Sequence, residues 1–588
     1  MELIKPVGHR YISIITVLLW GMLCISALFV VSEKFVNPEI TPKRFGLVIG
    51  TGVAAVVWAV CFRDKVVSGR PVFLLLLFCV TTVFLRDWAS TGFNSYLLAY
   101  SCCLLLLFFL LRQLTAVCAP EWLFGTAFIL ATFLSLYGVL QYFGVFLTSN
   151  RLFAVTGTFD NPAGFGAALS CVFPYGLYFF DRSVRRFKFV VAVMLATLAA
   201  GIALSGSRSS VMACLTAVAV YSAVGIPKLK FRWPIKIGAA CLVGLLVFGL
   251  YLLKKDSADG RLLIWQCTWN MAKDSPIAGH GKGAFQAKYM LYQADYFEMH
   301  PDSKYAALAD NVLHPFNEYL LILAEHGAIG IGILVLLGFL LIRSYRRSPD
   351  FVKLIAGLSL IAVAVFSCFS YPFKYPFTWL IVFLNIALIG VSHDKEPKMA
   401  NPGRLIKAGT VAVSIVLFLI TIPLINAEII WNKTAKASMI GKTGEMLPEY
   451  NKLYRYLGKN GLFLYNHAAE LNYIKKHEES LRVFGKCTKY YNDMDVQMLM
   501  ADNYRALEQY DKAERHLKLA AGMCPGRFIP LYQLAKLYDE TGREEEAVDL
   551  ARQIIDKEVK IPSPTVIAIK SEMDKLIKTF KNIAPMEN

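Results

Sequence analysis

Apolar runs of about 20 residues, separated by short polar connections, fill most of the first 426 positions. At about 1.5 Å of rise per helical residue, a run of this length crosses a bilayer. Such runs lie near 11–32, 44–62, 70–86, 92–112, 121–147, 162–181, 187–204, 209–226, 235–253, 316–343, 351–371, 375–392 and 405–426. They predict an all-α polytopic bundle of about twelve or thirteen spans across residues 1–427. The pattern is interrupted once at length, in the loop 254–315. Around it, the stretch from Gly260 to Gly332 is rich in Arg, Trp, His, Asn and Gly, and this is where the chemistry is expected.

From about residue 430 the pattern changes. Long apolar runs stop and charge rises, so 428–588 reads as a soluble helical domain. Ala501, Tyr504 and Ala513 recur 34 residues later as Ala535, Tyr538 and Ala547, and a weaker copy stands 33 residues earlier at Ala468, Leu471 and Ser480. Small residues at fixed places on paired helices with this period describe tetratricopeptide repeats. The segments YRALEQYDKAERHLKLAAGMCP and LAKLYDETGREEEAVDLARQII resemble that family. A generic helical hairpin bundle is the alternative.

Composition agrees with a membrane protein: 56% of the 588 residues are hydrophobic and 18% charged, too little charge for a soluble chain of this length. The net charge of +18 is not a nucleic-acid signature, because most of the bases sit in short loops between apolar runs. With Lys5 and Arg10 inside, the inner loops carry Arg63, Lys65 and Arg70; Arg112; Arg182, Arg185, Arg186 and Lys188; Lys228, Lys230, Arg232 and Lys236; Arg343, Arg346, Arg347 and Lys353; and Lys395, Lys398, Arg404 and Lys407. The outer loops are poorer, with Lys34, Lys43 and Arg44 as the exception. This bias places loop 254–315 and everything after Ala427 outside, with the N-terminus cytoplasmic. The first apolar run is followed by many others and reads as a span, not a cleaved signal. The thirteen cysteines, several of them inside apolar segments, show neither metal-site nor disulfide spacing.

Four lone arginines fall on the outer side: Arg86, Arg151 in RLFAVTGTFDNPAGFGAAL, Arg208 in LSGSRSSVM, and Arg261 in GRLLIWQCTW. An arginine at the hydrocarbon edge is costly unless paired or solvated, and its planar fork fits phosphate oxygens. Anchoring at a span end is the competing reading. Asn161-Pro162 reads as a helix start, with Asp160 and Asn161 as further polar contacts. His314, where the large loop re-enters the apolar pattern, has the ordinary pKa range of a base or donor near neutral pH. His280, His300 and His326 lie nearby. Asn317 and Glu318 follow His314, and Glu325 and Gly327 mark a break before the next span. No phosphate-cradling GxxxxGK[ST], HExxH or Cys/His cluster occurs, so neither an ATP-driven step, nor a metal, nor a cofactor is expected.

Taken together, RLFAVTGTFDNPAGFGAAL, LSGSRSSVM, GRLLIWQCTWNMAKDSPIAGHGKGAF and NEYLLILAEHGAIGIGIL resemble the O-antigen ligase/polymerase superfamily, the WaaL or Wzy_C-like membrane glycosyltransferases. The resemblance covers roughly 120–345. It implies a GT-C-type bundle in a bacterial inner membrane and metal-independent, inverting transfer from an undecaprenyl-diphosphate-linked glycan on the periplasmic face. By position it assigns Arg151, Arg208 and Arg261 to the donor pyrophosphate and His314, with Arg261, to catalysis; Asn161 and Asn317 would support them. The family pattern has His directly before Asn at the re-entry helix; here Phe316 precedes Asn317, and His314 stands two residues earlier across Pro315. The family also often has Asn where Ala163 stands.

Three acceptors fit this chemistry: lipid A-core, as in O-antigen ligation, which ranks first; a protein Ser or Thr; or another lipid-linked repeat, as in O-antigen or capsule polymerisation. The repeats raise the prospect of a protein partner or substrate. A transporter of a lipid-linked anion is the reading from another class, but it would show related halves and charges near the midplane. A scaffold would need only one anchoring helix.

Overall fold

The computed structural model describes residues 7–62, 77–79, 81–83, 85–86, 94–224, 255–390, 403–560 and 562–583. Among these residues every regular element is a helix. Among the described residues eight helices are long and apolar enough to cross a membrane, and three shorter apolar ones accompany them. They are α1 (Val7–Phe29), α2 (Thr41–Cys61), α3 (Ser95–Val117), α4 (Pro120–Tyr142), α5 (Pro162–Arg182), α6 (Arg185–Leu204), α7 (Arg208–Val224), α10 (Glu318–Arg347), α11 (Phe351–Ser367), α12 (Pro376–Ile389) and α13 (Gly403–Ala437). Each coincides with one of the thirteen apolar runs. The run at 235–253 lies outside the described residues, as does most of 70–86.

Between α7 and α10 stand α8 (Lys255–Asp274) and α9 (Ala284–Met299). After α13 follow α14 (Thr443–Leu457), α15 (Gly461–Tyr473), α16 (His477–Cys487), α17 (Met494–Ala506), α18 (Tyr510–Met523), α19 (Ile529–Glu540), α20 (Glu544–Asp556) and α21 (Pro564–Ile583). The chain divides into two compact units. The first holds residues up to 253, 316–319 and 329–432; the second holds 254–315, 320–328 and 433 onward.

In the first unit α5 is central. Small residues let its neighbours approach: a Cβ on Gly166 would lie 2.0 Å from Ser210 Oγ, so the GFG of α5 and the SRSS of α7 fit only because one of them lacks a side chain. Several polar groups inside this apolar unit pair with one another, which lowers the cost of burying them away from water. Tyr175 donates to Asn385 Oδ1 (2.8 Å), and Asn385 donates to Ser359 Oγ (2.8 Å). Arg112 lies within α3, buried, and donates to Ala387 O at 3.1 Å; it is not a loop charge. Likewise Lys43 and Arg44 stand in the first turn of α2, and Lys43 is fully buried.

In the second unit three helix pairs repeat: α15/α16, α17/α18 and α19/α20. The small residues of the sequence repeat are the buried contact points, with Ala468, Ala501, Ala535, Ser480, Ala513 and Ala547 at most 2% exposed. The turn inside each pair repeats as well. Lys475, Glu508 and Gly542 all take left-handed backbone (φ 62°, 58° and 71°). The next amide then donates five residues back, Lys476 to Leu471 O, Gln509 to Tyr504 O and Arg543 to Tyr538 O, the Schellman closure of a helix.

Candidate functional site

The first unit gathers three distant segments around Asp160. Gln141 holds the backbone of 156–157, accepting from the amides of Thr156 (3.2 Å) and Gly157 (2.8 Å) and donating to Gly157 O (3.0 Å). Lys43 donates to Glu39 O and Thr158 O. The loop so fixed ends at Asn161, whose Oδ1 caps α5 by accepting from Ala163 N (2.8 Å) and Gly164 N (3.3 Å), with Pro162 in the first turn. This presents Asp160 to Lys374 at 2.7 Å, with the two side chains 22% and 17% exposed. Tyr375 donates to Asp160 Oδ1 and Asn161 Oδ1, both at 3.1 Å, and Asn161 donates to Tyr371 at 3.2 Å.

The loops carrying two of the expected arginines join this cluster. Arg151 lies exposed in a turn. Its neighbour Asn150 donates to Asp160 O at 3.4 Å. Arg208 opens α7, flanked by Ser207 and Ser210, which share a 2.7 Å hydrogen bond; Ser209 donates to Phe369 O at 3.4 Å. A hydrogen-bonded belt thus runs from the Arg151 turn through Asp160 and the 369–375 segment to the Arg208 turn. Arg44 adds a third arginine, donating to Lys374 O at 3.4 Å and Tyr96 OH at 3.5 Å. Phe316 has left-handed backbone (φ 53°) and packs on Tyr371 at 5.3 Å. Asn317 accepts from Tyr319 N at 3.0 Å and Glu318 from Phe373 N at 3.3 Å, so both side chains are engaged locally at the start of α10.

Arg261 and His314 belong to the second unit. Arg261 is on α8, and Trp265 on the same helix donates to Pro315 O at 2.9 Å, fixing the residue after His314. The other loop histidines are occupied by backbone: His280 Nε2 is 2.8 Å from Met271 O and His300 Nδ1 is 3.0 Å from Tyr296 O. The turn 275–283 lies backbone to backbone on 324–328. His280 N and Gly281 N donate to Ala324 O and Glu325 O, and Ala328 N donates to Pro276 O. The Glu325 carboxylate accepts from Gly283 N at 2.9 Å. The expected break in α10 is at Gly327 (φ 62°, ψ −158°), where a Cβ would lie 2.3 Å from Ile277 O. The glycines of GHGKG and EHGAIG therefore make this seam.

Among the described residues no group of three His, Cys, Asp or Glu side chains is placed to hold a metal ion. Sequence reasoning named Asp160 but passed over Lys374, Tyr371, Tyr375 and Lys43. A lysine between prolines and aromatics in SYPFKYPF was the available signal.

Residues 191–335 match the family model described as Wzy_C, O-antigen ligase. The match runs from α6 into α10 and so contains Arg208, Arg261, His314 and Asn317, while Arg151, Asn161 and the repeats lie outside it. The chain's described residues are all-α, with helices long and apolar enough for a multi-pass membrane protein, and residues 191–335 match an O-antigen ligase domain. That match supports a membrane glycosyltransferase-like role of the ligase/polymerase kind. No curated protein matches the sequence. Among solved structures, one described as a crystal structure of the APC/C hetero-tetramer Cut9-Hcn1 aligns over 91% of this chain and 89% of that one, at 11% identity and a TM-score of 0.22. A score that low carries no argument, and the repeat assignment rests on this chain's own helix pairs.

Proposed function

We propose that the chain transfers a glycan from undecaprenyl diphosphate to an acceptor hydroxyl on the periplasmic face of a bacterial inner membrane, with lipid A-core as the acceptor. The observation that carries this reading is the O-antigen ligase match over 191–335, the segment that contains Arg208, Arg261 and His314. In the proposed reaction the bond from the anomeric carbon to the diphosphate breaks as the acceptor oxygen attacks, inverting that carbon. Arg151, Arg208 and Arg261 stabilise the charge that grows on the diphosphate. His314 takes the acceptor proton. The donor's own bond energy drives the step, with neither metal nor cofactor. The repeats are placed on the periplasmic side with the large loop.

Deletion of the gene, followed by gels of whole-cell glycolipid and glycoprotein, tests this. Loss of long chains from lipopolysaccharide, restored by wild type but by neither Arg261→Ala nor His314→Ala, is the expected result. Unchanged lipopolysaccharide with lighter glycoproteins would move the acceptor to protein. Full complementation by both variants would overturn the residue assignments.

A further inference from the structure

The repeats and the large loop form one body. Helix α9 of the loop packs on α18 of the repeats, where a Cβ on Gly522 would be in contact with Ala294 Cβ at 3.4 Å, and just beyond both helices a Cβ on Gly526 would sit 3.1 Å from Ala306 O. Asn492 N donates to Gln286 O at 3.1 Å, and Arg527 pairs with Asp310 at 2.6 Å. Asn311 bridges to the start of α17, donating to Asp495 at 3.1 Å and accepting from Met494 N at 3.2 Å.

At the centre is Gln293, which has no exposed surface. Its amide donates to Met523 O in the repeats (2.6 Å) and to Asp310 O in the loop (3.2 Å), and its oxygen accepts from Tyr289 (2.7 Å). All its hydrogen-bonding capacity within reach is used, and each of these groups is costly to leave unpaired once buried. Asp310 is four residues before His314. On the other side of His314, Trp265 holds Pro315 O from the helix that carries Arg261. The segment bearing His314 is thus fixed at one end by the repeats and at the other by α8.

We infer that the repeat array is the scaffold of the transfer loop, and that Gln293 is a positioning residue that sets His314 and Arg261 through its bonds to Met523 O and Asp310 O. The inference rests on the proposed transfer reaction for its catalytic consequence, though not for its structural one. The face of α18 that meets α9 is occupied by the chain itself and is closed to an outside partner. The repeats and the loop work as one piece, and the contact stays closed through turnover.

The test uses the full-length protein in detergent with a polyprenyl-diphosphate oligosaccharide. Cysteines at 294 and 522 (Ala294→Cys, Gly522→Cys) stand at a Cβ separation close to that of a disulfide, about 3.8 Å. Oxidised, this variant is expected to keep wild-type turnover. Gln293→Leu is expected to lose turnover by about tenfold or more, since small displacements of reacting groups cost that much. It should also lose amide-exchange protection over 304–315 with the exchange of α1–α5 unchanged. Adding the cross-link to Gln293→Leu should return most of the turnover, and reductant should remove it again. The inference is overturned if the cross-linked protein is inactive until reduced, or if Gln293→Leu keeps wild-type turnover and protection. If wild type consumes no polyprenyl donor, the transfer reading fails, and the exchange at 304–315 decides the scaffold by itself: unchanged protection in Gln293→Leu overturns it.

Discussion

The Asp160–Lys374 pair joins segments 214 residues apart, and its removal has a calculable cost. At 2.7 Å and an effective dielectric of about 20, the direct attraction is about 6 kcal/mol. Desolvation and the residual exposure of both side chains take back much of it, so deleting one partner is expected to cost about 2–3 kcal/mol. Asp160→Asn keeps an oxygen for Tyr375 but leaves Lys374 without its counter-charge. Lys374→Met keeps an apolar stem but removes the ammonium, whose Nζ lies 5.5 and 5.8 Å from the ring centres of Tyr371 and Tyr375, and strands Asp160. Each single substitution should lower the unfolding temperature by several degrees, and the double variant should recover part of the loss, with a coupling of about 2 kcal/mol. Thermal unfolding in detergent, followed by the labelling of buried Cys24, Cys103 and Cys171, reads this directly. Single variants as stable as wild type, or a double variant as unstable as the sum, would refute the reasoning. Activity adds a second discrimination. If Lys374 only ties the loops together, the stabilised double variant regains turnover; if it also meets the donor, turnover stays lost.

Lys475→Gly and Glu508→Gly relieve left-handed backbone at the repeat turns, and each should stabilise the second unit by about 0.5–1 kcal/mol after the entropy of glycine is subtracted, read as a higher unfolding temperature. Gly327→Ala places a side chain where only glycine fits, against Ile277 O, and should cost about 3 kcal/mol or more, exposing 275–283 to protease; wild-type resistance would contradict the seam. Burial pushes His467 down to about 4, where it stacks on Tyr450 at 5.1 Å with neither ring nitrogen hydrogen-bonded. The unfolded chain therefore binds a proton between pH 6.5 and 4 that the folded one refuses. Stability falls as pH drops through that window, by up to about 3 kcal/mol, and His467→Phe should flatten the dependence in chemical denaturation.

What was legible in the sequence was what repeats locally. Spans follow from runs of apolar residues, and eleven of the thirteen runs are helices among the described residues. The 34-residue spacing of Ala501/Ala535 and Ala513/Ala547 marks contact points, because only small residues fit where paired helices touch. Asn161-Pro162 announced its helix because capping is a short-range interaction. What stayed hidden depends on partners far along the chain. Gln293 looks like an ordinary polar residue on a helix until Met523 O, 230 residues away, is placed against it. Lys43 and Arg112 read as loop charges, because burial of a lysine or arginine depends on carbonyls that no local pattern displays: Thr158 O and Ala387 O. The glycines of GHGKG and EHGAIG read as family motifs, and only the seam between 275–283 and 324–328 gives them a physical reason.

The central claim is glycan transfer from a polyprenyl diphosphate, and the most direct measurement is the fate of that donor. With the full-length protein reconstituted in vesicles containing undecaprenyl-diphosphate-linked glycan and an acceptor, free undecaprenyl diphosphate should appear in step with glycosylated acceptor, and Arg208→Ala and Arg261→Ala should each abolish both. Donor that changes leaflet intact, with no diphosphate released, would contradict the account and make the protein a transporter.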